Sequence, residues 1–94
     1  YEGLPMAALE AMARGIVVIT LDVGRLPDLI QDGQNGFLAH DILALTDKLY
    51  LWLGIDHNKQ YLMRNKAIET IKAHYSSRSI IPILIERYQI ENHT

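Results

Sequence analysis

The stretch that decides the fold lies near the start of the chain and reads EGLPMAALEAMARGIVVIT, residues 2–20. It predicts a helix over residues 5–14, because Pro5 suits a first helical position and Gly15 suits the C-terminal cap. The β-branched run that follows at once, residues 16–20, is typical of a central strand buried on both faces of a parallel sheet. An apolar helix joined directly to such a strand indicates a layered α/β fold.

The following residues continue this alternation and then become purely helical. A loop and a short helix over residues 26–30 lead to a glycine-containing turn over 32–36 and a second strand over 36–39. Three helices are predicted after it, the first capped by Asp41 and ending at Gly54, and they cover residues 42–54, about 58–73 and about 79–91.

This order of elements predicts part of a larger sheet. Two parallel strands cannot form a stable sheet alone, because their outer backbone edges need neighbours. We therefore expect an α/β fold, the second half of a Rossmann-like doubly wound domain that finishes in three helices. Residues 1–41 would be its α/β part and residues 42–94 a helical tail, and we expect the chain to be the tail of a longer protein.

The composition excludes several classes of protein. The 94 residues are 49% hydrophobic and 21% charged, with a net charge of −2, which predicts one globular domain and no basic surface for nucleic acid. Cysteine is absent, so disulfides and thiolate metal sites are excluded. The apolar runs are too short to cross a bilayer and no leader opens the chain, so a cytoplasmic location is expected.

Glu10 is the one acidic residue of the predicted helix 5–14, which is apolar nearly all round up to Arg14 at its end. A buried carboxylate needs donors, because an unpaired buried charge costs several kcal/mol. Arg14 lies at the favourable i+4 position and could supply them. Local physical chemistry favours this ion pair, while a ligand that donates hydrogen bonds stays open as the alternative.

Glu2 precedes the same helix and raises a second question. The first N–H groups of a helix have no intrahelical acceptor and lie at its positive end, so Glu2 could simply be a favourable charge there. The same groups also make the helix start suitable for an anion. Glu2 and Glu10 would lie on the order of 10 Å apart, which suits a ligand with hydroxyl groups at both ends and an anion between them.

The segment EGLPMAALEAMARGIVVITLDVGRLPDLIQDGQNGFL closely resembles the C-terminal donor-binding domain of the retaining nucleotide-sugar glycosyltransferases. These enzymes have two facing Rossmann-like domains, the GT-B fold, and the resemblance is to the family 4-like, group 1 members. The shared pattern combines the two glutamates eight positions apart, the DGQNGFL turn and Asp41. It covers essentially the whole chain and is strongest over residues 2–41.

The resemblance implies roles for individual residues. Glu2 would contact hydroxyls of the donor sugar and act as the catalytic acidic residue, and Glu10 would accept hydrogen bonds from the ribose hydroxyls. Backbone N–H groups near Gly3, Leu4 and Met6 would approach the sugar and the diphosphate. The nucleotide-diphosphate sugar is then a substrate, and neither a metal nor another cofactor is expected.

The sequence also departs from the family pattern. Arg14 and Val17 stand where the family often has a small residue and proline, and Arg25 and Asp28 replace a glycine and a glutamate in the loop that follows the β-branched residues 16–20. The acceptor-binding N-terminal domain is not part of these 94 residues, so we expect the chain alone to be inactive.

Several alternatives stay open at this point. The chain could be an inactive remnant, or a subunit that needs a partner carrying the N-terminal half. It could also belong to a nucleotide-sugar epimerase built on the same plan. The resemblance leaves peripheral membrane association open as well, through the N-terminal domain at the inner face of the membrane.

The remaining distinctive residues are predicted to be structural. His40 is expected in a loop at the sheet margin, and Trp52 is expected in the core with Leu45, Leu49 and Leu53. On the helix over 58–73, the apolar residues at helical spacing are Tyr61, Leu62, Ala67, Ile68 and Ile71.

Overall fold

The computed structural model describes residues 5–74. It contains, in chain order, four helices and two strands. These are α1 (Met6–Ala13), β1 (Val18–Leu21), α2 (Leu26–Leu29), β2 (Gly36–Ala39), α3 (Ile42–Gly54) and α4 (His57–His74). The α/β class and the order of elements are confirmed, and the helix predicted over residues 79–91 lies outside the described residues.

Helix α1 ends in a Schellman motif centred on Gly15. Gly15 has a φ of 77°, which glycine adopts at little cost. Its N–H donates to the Met12 carbonyl at 3.0 Å, and the Ile16 N–H donates to the Ala11 carbonyl at 2.9 Å. The predicted cap is confirmed, whereas Pro5 is the N-cap residue and not, as predicted, the first helical residue.

The two strands pair in parallel, with Val18 opposite Gly36 and Leu21 opposite Ala39. Strand β1 therefore begins two residues later than predicted. The reason is the Schellman motif, since it uses the Ile16 N–H and leaves Ile16 half exposed before the chain can extend. All four residues of β1 are half-buried, so the prediction of burial on both faces was wrong for the described part of the sheet.

Helices cover both faces of this parallel pair. Adjacent residues of a strand point to opposite faces, and Phe37 and Leu38 accordingly pack in different directions. The Phe37 ring contacts the Trp52 ring of α3 edge to face, with centroids 6.4 Å apart. Leu38 packs on the other side against a core formed by α1, α2 and α4, whose buried residues are Ala8, Leu9, Met12, Leu29, Ile30, Ala67 and Ile71.

Helix α3 begins as predicted but packs less deeply than expected. The Asp41 carboxylate accepts the Ala44 N–H at 2.8 Å, which confirms the predicted cap. No residue of α3 is fully buried. Trp52 is half-buried, and the prediction that Leu49 and Leu53 are core residues was wrong, because both lie on sides of the helix that the described residues leave uncovered.

Helix α4 is buried along one stripe of its surface, and Ala67 and Ile71 of this stripe belong to the core that includes α1. Met63, Ala67 and Ile71 are buried at four-residue spacing, which places them on one face. The inclusion of Ala67 and Ile71 in the apolar face was correct. Tyr61 and Leu62 are exposed, because their positions turn away from this stripe.

The turn between α2 and β2 is fixed by a buried amide, that of Asn35. Its side-chain oxygen accepts the Gln31 N–H at 2.7 Å. Its nitrogen donates to the Leu29 carbonyl at 3.3 Å and to the Thr70 hydroxyl of α4 at 2.9 Å. Because a buried amide costs free energy unless it is hydrogen-bonded, these bonds tie the turn and α4 into one arrangement.

Gly36 lies opposite Val18 in the sheet, with little space for a side chain, and Gly36→Ala is expected to be destabilising. A Cβ there would lie 2.8 Å from the Val18 carbonyl oxygen and 3.1 Å from the Ile30 side chain. We expect a loss of about 1 to 3 kcal/mol in the free energy of unfolding, measured by urea denaturation. Gly54→Ala is the matched control, because a Cβ at Gly54 meets no atom within 4 Å. Equal unfolding midpoints for the two variants would contradict this packing.

Because of Asp32, the free energy of unfolding is expected to depend on pH in acid solution. Its carboxylate accepts the Leu38 N–H at 3.0 Å and the Lys48 ammonium at 2.8 Å. Burial raises the pKa of Asp32, but the hydrogen bonds from Lys48 and Leu38 and the charge of Lys48 outweigh it, so the pKa is lowered overall.

Since the folded-state pKa is the lower one, the contribution of Asp32 is complete above the unfolded-state pKa of about 4. It is lost as the pH falls through the folded-state value. Asp32→Asn should therefore be less stable than the parent at pH 6 by up to about 1 kcal/mol, the range for exposed pairs, and this deficit should shrink in more acid solution. Asp47→Asn is a control on α3, and the deficit is measured by urea denaturation across pH. A deficit that stays constant with pH would exclude this linkage.

Candidate functional site

A groove of about 410 Å³ opens beside the start of α1. One wall is the N-terminal half of α1 and the other is β1, with Leu26 of α2 at one side. The space exists because α1 presents alanine at positions 7, 8 and 11, and alanine side chains leave the helix surface close to the strand uncovered. The residues that line the groove include Pro5, Ala7, Ala8, Ala11, Ile19 and Thr20.

The first turn of α1 adds a positive end to this groove. The Leu9 N–H donates to the Pro5 carbonyl at 3.0 Å and is the first to bond within the helix. The N–H groups of Met6, Ala7 and Ala8 come before it and have no intrahelical acceptor. Within residues 5–74, no side chain caps the helix start and its first turn holds no acidic residue. The helix dipole therefore favours an anion at this point.

Glu10 lies one turn further along α1 and is 7% exposed. Its Oε1 is 3.6 Å from an Arg14 guanidinium nitrogen, which confirms the ion pair predicted from their i, i+4 spacing. Glu10 does not line the groove, whereas its neighbour Ala11 does. The side chain thus lies beside the groove, on a different side of the helix.

The other predicted site residues are distributed as follows. Met6 is half-buried and packs against the core with its side chain, and its backbone N–H is one of the groups at the helix start that have no intrahelical acceptor. Glu2, Gly3 and Leu4 lie outside the described residues. His40 follows β2 at the sheet margin, where it was predicted, and its ring lies 3.4 Å from Asp41.

The strand wall of the groove was not predicted from the sequence. Ile19, Thr20 and Leu26 were assigned only to secondary structure, yet they line the space opposite α1. The alanines at positions 7, 8 and 11 were the available signal, because small residues on one helix face permit a cleft. The strand that faces them could not be identified before the packing was known.

Neither a metal cluster nor a membrane span is found in the described part of the chain. Among residues 5–74, no three histidine or acidic side chains converge as metal ligands would. None of the helices in that range is both long enough and apolar enough to cross a membrane.

Comparison with known proteins identifies the family. The family described as glycosyl transferases group 1 matches residues 1–54, more than half of the chain. The chain belongs to the group 1 glycosyltransferases. The match includes α1, the groove and both strands, so the fold described above is an α/β unit of the GT-B, Rossmann-like type.

Three curated relatives match over different lengths. A Salmonella typhimurium protein named "Putative colanic acid biosynthesis glycosyltransferase WcaL" is 32% identical over 81 residues, 84% of this chain and 20% of its own length. The alpha-maltose-1-phosphate synthase of Mycolicibacterium smegmatis is 45% identical over 40 residues, 43% of this chain and 10% of its own length. The spore coat protein SA of Bacillus subtilis is 42% identical over 40 residues, which cover 43% of this chain and 11% of that protein.

The chain therefore spans about a fifth of the length of the first of these relatives. No solved structure gives a significant match to it.

Proposed function

We propose that the chain is the donor-binding part of a glycosyltransferase that moves a sugar from a nucleotide-diphosphate sugar to an acceptor hydroxyl, with retention at the anomeric carbon. The observation that carries this proposal is the groove at the positive end of α1, inside the segment that matches the family. Two relatives are named for colanic acid biosynthesis and maltose-1-phosphate synthesis. These names favour a role in carbohydrate or polysaccharide biosynthesis.

The start of α1 would hold the diphosphate of the donor. A diphosphate brings negative charge, and the N–H groups of Met6, Ala7 and Ala8 can donate to it without breaking a helix bond. As the bond from the anomeric carbon to the diphosphate breaks, more negative charge develops on the leaving oxygen. A fixed helix dipole stabilises that charge without rearrangement.

Glu10 would accept hydrogen bonds from the ribose hydroxyls beside the groove. A carboxylate has two oxygens with about four lone-pair sites for donors, and Arg14 approaches one of these oxygens at 3.6 Å. The ion pair and the ligand role are therefore compatible. Glu2, just before the helix, would place the anomeric carbon against the acceptor hydroxyl, a contribution of orientation.

The N-terminal acceptor-binding domain, or a subunit that replaces it, would supply the acceptor. We also propose a cytoplasmic reaction, with any membrane contact made through that domain. Since diphosphate charge can be met at the start of α1, our proposal includes no metal cofactor.

Replacing Glu10 by glutamine is expected to weaken donor binding. The protein encoded by the complete reading frame is screened with UDP-glucose, GDP-mannose and ADP-glucose by the shift in melting temperature, and affinity for the responding donor is then measured by calorimetry. Loss of charge-assisted hydrogen bonds should raise the dissociation constant roughly tenfold. Glu2→Gln should instead lower turnover more than donor affinity. Glu69→Gln on the exposed face of α4 is the matched control.

Arg14→Gln separates the ligand role of Glu10 from a purely structural one. If Glu10→Gln and Arg14→Gln lower the melting temperature alike and neither changes donor binding, Glu10 serves only the ion pair. Unchanged kinetics in both glutamate variants would refute the assignment of the donor site.

Ala7→Leu tests the groove itself. Ala7 is exposed and lines the groove, so the larger side chain should occupy donor space. Stability should change by less than about 0.5 kcal/mol, because leucine is also a good helix former and the site is exposed. We expect the thermal shift produced by the donor to be lost. Ala73→Leu on α4 should keep it; a full shift in Ala7→Leu would place the donor elsewhere.

A further inference from the structure

A second groove, of about 510 Å³, lies away from the first and shares no residue with it. It opens between the end of α3, the first half of α4 and the turn at Gly33 and Gln34. That turn precedes β2, so this groove lies toward the amino ends of the strands. Buried Phe37 and Met63 line it, and exposed Leu51 and Leu62 border it.

One face of α4 forms a regular wall of this groove. Lys59, Leu62, Met63 and Lys66 all line it, and they occupy positions i, i+3, i+4 and i+7. Residues at this spacing lie on one side of a helix. The wall therefore has an apolar centre with a lysine one turn to either side, and the two lysine backbones are about 10.5 Å apart along the axis.

These lysines are not used by the rest of the described structure. Lys48 pairs with Asp32 and Arg25 pairs with Asp28, but neither Lys59 nor Lys66 forms an ion pair with any of residues 5–74. Lys59 also lies in the first turn of α4, where the helix dipole disfavours a cation. The Asp56 carboxylate at this helix start accepts the Lys59 N–H at 2.9 Å and does not form an ion pair with the Lys59 side chain. Among residues 5–74, no acidic residue lines the groove.

We propose that this groove binds an acidic amphipathic helix of a partner protein. Such a helix would place apolar residues on Leu62, Met63 and Leu51, and acidic residues opposite Lys59 and Lys66, the recognition mode of a helix in a groove. The spacing of the wall favours a helix, because a ligand with the same periodicity meets both lysines and the apolar centre together. Two lysines fall short of the four to eight basic residues typical of binding to an anionic membrane surface.

Helix binding at this groove would not depend on glycosyl transfer, because the groove shares no residue with the one beside α1. Burial of Leu51 and Leu62 would supply affinity, since both are more than half exposed in the described structure. The two lysines would supply specificity and sensitivity to salt.

The test uses a fluorescent alanine-based helical peptide that carries two adjacent leucines, with a glutamate one turn to either side. Its binding to the protein from the complete reading frame is followed by anisotropy. We expect saturable binding that weakens as salt is raised from about 0.05 to 0.5 M. The Lys59→Glu, Lys66→Glu double variant should bind roughly tenfold more weakly or worse. Lys72→Glu, an exposed lysine of α4 that does not line the groove, is the matched control.

Charge exchange makes the result specific. A peptide with lysines in place of both glutamates should bind the double variant better than it binds the parent. Circular dichroism establishes that the double variant keeps its fold, and if it does not, Leu62→Ser replaces it as the test of the groove. Dodecyl phosphate, an anionic amphiphile with no helix, is titrated in parallel. Three outcomes would overturn the proposal: no binding of the acidic peptide, equal binding of the peptide to the parent and the double variant, or binding of dodecyl phosphate without binding of the peptide.

Discussion

The buried amide of Asn35 is the constraint on which the arrangement of the described elements depends. It bonds to the backbone at Gln31 and Leu29 and to the Thr70 hydroxyl, so one side chain joins the end of α2, the turn before β2 and the helix α4. The Thr70 hydroxyl in turn donates to the Lys66 carbonyl. Because β2 begins at the next residue and pairs with β1, the same amide sets the position of α4 relative to the sheet. The position of α4 in turn brings Ala67 and Ile71 into the core, where they pack with buried residues of α1.

The sequence predicted most of the elements because their ends carry local signals. Gly15, Asp41 and Gly54 act within their own turn of the chain, and the structure places helix ends at or beside each of them. The start of β1 could not be predicted in this way, since it depends on the use of the Ile16 N–H by the preceding helix. The depth of α3 could not be predicted either. Its apolar residues occur on nearly all sides, and only packing decides which of them the sheet covers.

The candidate site was predictable to a similar extent. The Glu10 and Arg14 pair follows from spacing along one helix, and the structure contains it. The groove forms only when β1 and α2 lie opposite α1. The periodicity of the sequence does not indicate how these elements are placed relative to one another. The same holds for the second groove. The helical spacing of Lys59 and Lys66 is visible in the sequence, but the cavity beside them is not. The cavity beside them forms only when α3 and the turn at Gly33 close against α4.

The short junction between α1 and β1 makes these two elements a rigid unit. The motif at Gly15 uses the N–H groups of Gly15 and Ile16, and the strand begins at Val18, so the connection has almost no slack. A tilt of α1 cannot be absorbed by a loop and must displace β1, and β2 with it through their shared register. The wall of the groove beside α1 and the strand that faces it therefore move together. The two main walls of the groove, α1 and β1, are therefore fixed relative to each other. A movement that closes the groove has to come from other elements.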